Sequence, residues 1–282
     1  MATESTPLPN STTKCPFVIG AGLGRTGSSS LEVALTKLGY TTMHMRDYLG
    51  NKPFTNREIL LEWAEAKRSK APDADKRALA AAKQIMDNGF TATTDFPACL
   101  LYKEFMELDP NAKVILSVRS NAEAWADSVL ATIGAVGPLV TNKPPFKYKP
   151  FNKRFFSQMY TYLWEEIGIA PYGTIDCTKP LDRDALIKAY HEWIERVKKD
   201  VPADKLLIHE AKDGFEPICK HLGIPFDESL AKYPHLNDKE DFKKSLKKMK
   251  RAPYIYYTVQ TLKAAVVGTG LAFIGQAIWG KK

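Results

Sequence analysis

Residues 17–31 read Phe-Val-Ile-Gly-Ala-Gly-Leu-Gly-Arg-Thr-Gly-Ser-Ser-Ser-Leu. An apolar strand runs straight into a glycine-rich turn, and the turn into a helix opening on the hydroxyls of Ser28, Ser29 and Ser30. Such a unit aims several backbone N–H groups and the positive end of a helix at one point, which suits an anion and above all a phosphate. Three readings compete for the loop. Gly22, Gly24 and Gly27 satisfy the dinucleotide pattern G-x-G-x-x-G, and Asp47 lies twenty residues past Gly27, about where a ribose-binding acid belongs. On that reading the chain is an NAD(P) oxidoreductase or epimerase. Gly22 and Gly27 also have the spacing of a triphosphatase loop, but Ser28 replaces the lysine that should reach the β- and γ-phosphates, which argues against triphosphate hydrolysis. The third reading takes Arg25-Thr26-Gly27-Ser28-Ser29 as the unit, with a cation inside the loop.

Working outward, 282 residues suit one large α/β domain with a fully buried sheet. Lys and Arg number 40 against 32 Asp and Glu, a net charge of +8. Much of the excess is local, since Lys239 to Arg251 holds seven basic residues and two acids. A local basic patch implies an anionic surface or ligand, whereas a spread excess serves solubility. Cys15, Cys99, Cys177 and Cys219 form no C-x-x-C pair, so neither a zinc site nor a disulfide framework is indicated, and a reducing compartment is the simpler assumption. Residues 1–14 are polar and rich in Ser, Thr and Pro, a disordered lead-in without the apolar core of a signal peptide.

Five segments are apolar almost throughout, the pattern of parallel strands covered on both faces: Phe17–Gly20, Tyr40–Met45, Phe90–Asp95, Lys113–Val118 and Lys205–His209. Helical stretches separate them: Ser28–Leu38, Asn56–Lys70, Asp75–Asn88, Ala122–Thr132 and Asp182–Lys199. The alternation predicts a doubly wound parallel sheet with helices on both faces and a site at the carboxyl ends of the strands. From Gly137 to Tyr172 the composition turns to Pro, Lys and aromatics, either the wall of an acceptor pocket or a helical lid packed on the core.

A second anion-binding candidate is Arg119, at the end of the fourth strand, with Ser128 on the helix that follows. An arginine and a serine placed so can hold a phosphate by charge-assisted hydrogen bonds. Between the two candidates come His44, after the second strand, and Thr93-Thr94-Asp95-Phe96-Pro97, after the third.

Taken together these segments resemble P-loop sulfotransferases. Arg25 to Ser29 is similar to their 5′-phosphosulfate loop, commonly Lys-Ser-Gly-Thr-Thr, with Arg25 where the lysine stands. Arg119 and Ser128 are similar to their 3′-phosphate motif, at a spacing of nine residues instead of eight. Asp213-Gly214-Phe215-Glu216-Pro217, then Leu222-Gly223-Ile224-Pro225-Phe226 and Tyr233-Pro234-His235-Leu236-Asn237, resemble their late segment. The likeness is nearest to a branch with Gly-x-Gly-Arg-Thr-Gly loops that is often mislabelled as NAD-dependent epimerase or dehydratase.

The resemblance implies a P-loop-like fold over residues 15–251 and transfer of a sulfuryl group from 3′-phosphoadenosine 5′-phosphosulfate (PAPS) to a hydroxyl or amine of a small-molecule acceptor. It implies no metal and no nucleic-acid partner. Gly24, Arg25, Thr26, Gly27, Ser28 and Ser29 would bind the phosphosulfate, and Arg119 and Ser128 the 3′-phosphate. Arg25 would stabilise the departing charge, and Asp95 or His44 would serve as base. The basic segment Lys239–Arg251 would help cap the cofactor. Ser30 replaces the tryptophan that often stacks on adenine in relatives. A catalytically inactive nucleotide-binding scaffold on the same fold is a further reading.

Residues 252–282 form an apolar tail, in which Ala264 to Gly280 is 17 residues without a charge. Tyr254, Tyr256, Tyr257 and Trp279 flank the run and the basic cluster precedes it, the arrangement of an interfacial belt with a cytosolic flank. The tail reads as a membrane anchor on a cytoplasmic catalytic domain, or as a terminal helix packed on protein.

Overall fold

The structure is a computed structural model that describes residues 15–49, 57–137, 153–236 and most of 240–262. Five parallel strands form one sheet in the order β2-β3-β1-β4-β5: β1 Val18–Gly20, β2 Thr42–Met43, β3 Ala92–Thr93, β4 Lys113–Val118 and β5 Leu206–Glu210. Alternate residues of each strand face opposite sides. Val18, Ala92 and Ile115 therefore pack with α1 (Ser28–Lys37) through Leu31 and Leu35, and with Phe215 and Ile218. Ile19, Met43, Val114 and Leu116 enter the larger core on the other face. That core receives α3 (Arg57–Arg68), α4 (Ala74–Asp87), α5 (Tyr102–Leu108), α6 (Ala122–Leu130), α7 (Lys153–Glu166) and α8 (Arg183–Asp200). A short α2 (Met45–Leu49) follows β2, and α9 (Glu216–Leu222) follows β5.

Local chemistry sets where these elements start and stop. Asn121 accepts a hydrogen bond from Ala124 N (2.6 Å) and Asp182 one from Ala185 N (2.7 Å), so each caps its helix, α6 and α8. Gly39, at φ 90, ends α1 as only glycine does without strain.

Two expected strands are shorter than the apolar pattern suggests. Tyr40–Met45 contains only Thr42–Met43 as strand, because the His44 amide donates to Asp47 Oδ2 (3.0 Å) and the chain coils into α2 at once. Phe90–Asp95 contains only Ala92–Thr93, and Asp95 itself turns to φ 68, out of the extended region.

The aromatic stretch after Gly137 resolves as α7. Phe155, Met159, Tyr162 and Trp164 are buried in the large core, with Tyr162 edge-on to Trp63 at 5.1 Å. Among the described residues these rings are core, and 138–152 lies outside them. Among the described residues no helix is long and apolar enough to cross a membrane. The predicted apolar C-terminal helix, Ala264–Gly280, lies outside the described residues.

One interior charge carries a stability prediction. The Glu165 side chain is fully buried and held by Arg68 Nε (2.7 Å) and Gly173 N (2.7 Å). Removing the guanidinium leaves a carboxylate in the core without its counter-ion, which typically costs about 3–5 kcal/mol. Arg68→Ala is therefore expected to lower the unfolding free energy by that amount, seen as a urea midpoint lowered by the same energy divided by an unchanged slope, and a midpoint equal to the parent's would refute it.

Candidate active site

The parallel order brings the carboxyl ends of β1, β2, β3 and β4 to one edge of the sheet, and the loops leaving those ends meet there. The loop from β1 is pinned from several sides. Ala21 N donates to Ile115 O (3.0 Å), Trp193 Nε1 donates to Ala21 O (2.9 Å) and Trp125 Nε1 donates to Gly24 O (2.9 Å). Thr26 Oγ1 donates to Leu23 O (2.6 Å) and lies 2.8 Å from Ser117 Oγ. Gly22 is required by this packing, since a Cβ there would sit 1.9 Å from Ser117 Oγ and 2.6 Å from Ser117 O.

Arg25, at φ 75, and Gly27, at φ 94, turn the chain through the left-handed region immediately before α1. With the N–H groups of the first helical turn, which a helix leaves without intrahelical partners, this is an arrangement able to hold an anion. A non-glycine residue costs energy at positive φ, so Arg25 is held there by its surroundings.

On the β4 flank, Arg119 Nη1 donates to Arg25 O (3.1 Å), and Arg25 Nε donates to Ser128 Oγ (3.4 Å). The Arg119 amide donates to Tyr190 OH (2.7 Å), whose ring stacks on Trp125 at 4.8 Å. The residues expected to grip the two ends of the donor thus stand in contact, with the Arg119 guanidinium turned toward the loop. Ser128 is buried, and the Arg25 guanidinium carbon lies 5.9 Å from the Phe242 ring centroid. That contact places the start of the basic late segment against the loop.

On the β2–β3 flank, His44 is 5 % exposed and fully engaged. The backbone N–H of Arg46 donates to Nδ1 (3.2 Å), so the ring proton sits on Nε2. Nε2 in turn lies 3.1 Å from Asp95 Oδ2, 3.1 Å from Ser29 Oγ and 3.4 Å from Ser28 Oγ. Asp95 Oδ1 accepts from Phe96 N (2.8 Å), and a Cβ on Gly24 would sit 2.9 Å from that same oxygen. The carboxylate therefore lies directly against the phosphate loop.

The structure brings together Gly24, Arg25, Thr26, Gly27, Ser28, Ser29, His44, Asp95, Arg119 and Ser128. Asp47 does not join them as a ribose ligand. It is buried and spends Oδ2 on the His44 amide. It lies in α2, and the strand that leads into that helix, β2, is separated from β1 by β3, whereas a dinucleotide fold places the second strand beside the first. The dinucleotide reading fails on that topology. Ser30 is likewise structural, since its Oγ accepts from Leu236 N (3.3 Å). The sequence reading did not assign the supporting roles of Trp125, Trp193 and Ser117. Ser117 carried a usable signal: it stands at the carboxyl end of β4, two residues before Arg119, which directly follows the strand.

A sulfotransferase-domain model matches residues 17–242, most of the chain. The chain belongs to the sulfotransferase family. It is also 29 % identical over 219 residues to "Ava biosynthesis cluster protein M" of Aspergillus versicolor, covering 78 % of this chain and 80 % of that protein. The matched span runs from the β1 strand to the Phe242 contact, so this sulfotransferase carries every site element described above within the family domain.

Proposed function

We propose that this sulfotransferase moves a sulfuryl group from PAPS to a hydroxyl or amine of a small-molecule acceptor, with Asp95 as the base. The observation that carries the reading is the meeting, at one edge of the sheet, of a cationic anion-binding loop with an arginine–serine pair on one flank and a carboxylate on the other.

The acceptor oxygen or nitrogen attacks sulfur, the bond from sulfur to the bridging oxygen breaks, and the acceptor proton passes to the carboxylate. Charge then builds on the departing 5′-phosphate, where Arg25 and the loop amides stabilise it more than they stabilise the bound donor. His44 supports Asp95 over itself as base, because its Nδ1 is occupied and its Nε2 already bears a proton. Its part is to orient the carboxylate by donating to Oδ2. Arg119 and Ser128 fit the 3′-phosphate, and the phosphate seat fits the 5′ end.

Calorimetry with adenosine 3′,5′-bisphosphate, NAD and ATP tests the donor. The bisphosphate is expected to bind tightest, and Arg119→Ala to weaken it about ten- to a hundredfold, the worth of a charged hydrogen bond. Preference for NAD or ATP, or an Arg119→Ala titration identical to the parent, overturns the assignment.

A further inference from the structure

Arg46 has no role in the reaction as derived so far, yet its guanidinium stands at the anion seat. Nη1 donates to Ser29 Oγ at 3.0 Å, and Nη2 pairs with the Glu32 carboxylate. Ser29 and Glu32 lie three residues apart on α1, one turn of the same face, so Arg46 bridges the first turn of that helix to the next. Burial pushes the Glu32 carboxyl above its ordinary pKa, and the His44 and Arg46 side chains oppose that shift while Asp47 and Asp95 add to it. The four side chains and Glu32 thus share one field.

Hydrogen-bond accounting then sets the direction of the Ser29 hydroxyl. Arg46 Nη1 can only donate, and His44 Nε2 carries its proton because Nδ1 accepts from Arg46 N. Neither neighbour accepts a proton from Ser29. The Ser29 O–H is therefore available to an anion seated at the start of α1, with Arg46 Nη1 3.0 Å from its oxygen. Half of the Arg46 side chain is exposed, so the guanidinium has room to turn from Glu32 toward that anion.

Position decides which part of the donor it meets. Arg119 and Ser128 stand on the β4 flank of the loop, and Asp95 and His44 on the β3–β2 flank. A donor anchored at the first flank and attacked beside Asp95 directs its sulfuryl group at the second, where Arg46 is one contact from His44 through Ser29. We propose that Arg46 is the cation that holds the sulfuryl oxygens, so that it sets recognition of the sulfated donor over its desulfated product and keeps the sulfur in line for attack.

The proposal rests on the PAPS reading, and its test separates the two. Calorimetry on the full chain would compare PAPS with adenosine 3′,5′-bisphosphate, which differ only in the sulfuryl group, for the parent, Arg46→Met and Arg46→Lys. In Arg46→Met the PAPS affinity is expected to fall about tenfold, one lost charged hydrogen bond, while bisphosphate affinity stays within about twofold and reports intact folding. Arg46→Lys should recover part of the loss. Equal losses for both ligands, or no loss for either, overturn the proposal while leaving the donor reading in place. A parent chain that binds neither ligand overturns the donor reading and this proposal with it.

Discussion

Replacing Asp95 by asparagine is expected to cut sulfuryl transfer about 10²- to 10⁴-fold, the usual worth of a positioned base, with nucleotide affinity nearly unchanged. The substitution is mild in every other respect. Asparagine tolerates the positive φ of 68 that this position adopts. Its carbonyl oxygen can keep the bond from Phe96 N, and His44 retains Ser29 Oγ at 3.1 Å as an alternative acceptor. What disappears is the group able to take a proton beside Gly24. Release of adenosine 3′,5′-bisphosphate from PAPS in the presence of a panel of phenols and amines measures the rate, and calorimetry measures the binding. If Asp95→Asn matches the parent in rate, Asp95 is not the base. A parent that binds the bisphosphate but transfers to no acceptor favours the inactive scaffold.

Arg25→Met is expected to lose about 10²- to 10³-fold in turnover, as when a preorganised donor is removed from developing negative charge. Unlike the change at Asp95, it should also weaken the bisphosphate, because that product carries the very charge Arg25 faces. The protein should fold normally. The guanidinium's bond to Ser128 Oγ is long, 3.4 Å, and the strained backbone is held by Arg119 on Arg25 O and Trp125 on Gly24 O, which methionine leaves intact. Arg25→Lys should recover part of the rate, since an ammonium supplies charge without the planar fork. An Arg25→Met variant at parental turnover would remove the loop cation from the mechanism.

The two variants differ in what they leave behind, and that difference assigns the flanks of the site. Loss of rate without loss of nucleotide would belong to the β3 side, where Asp95 is the proposed base. Loss of both belongs to the loop itself. The Arg46 comparison sits between them, since it separates the sulfuryl group from the nucleotide that carries it.

Residues 17–31 announced a strand, a tight glycine-rich turn and a helix opening on hydroxyls, and β1, the left-handed Arg25 and Gly27, and α1 follow in that order. The strand Lys113–Val118 was read to the residue, since a strand buried on both faces leaves an uninterrupted apolar run. Asp95 and His44 were legible as strand-end polar residues, and Arg119 as a cation closing an apolar strand. Composition alone could not separate the aromatic wall from the core in the stretch after Gly137, because Tyr162 and Trp164 have the same sequence pattern in either setting.

Tertiary structure decided the rest. Motif spacing is equally compatible with a sheet that places β2 beside β1 and one that inserts β3 between them. Only the strand order 2-3-1-4-5 took Asp47 out of the running as a ribose ligand and brought Asp95 to the loop. Protonation of His44 likewise depends on the amide of Arg46, a partner that the short α2 turn supplies and no periodicity predicts. Sequence determined which chemical groups this chain owns and which strand ends bear them, since those follow from local backbone preferences. Which groups touch was set by long-range strand pairing and side-chain packing, interactions between residues far apart in the chain that a local pattern does not encode.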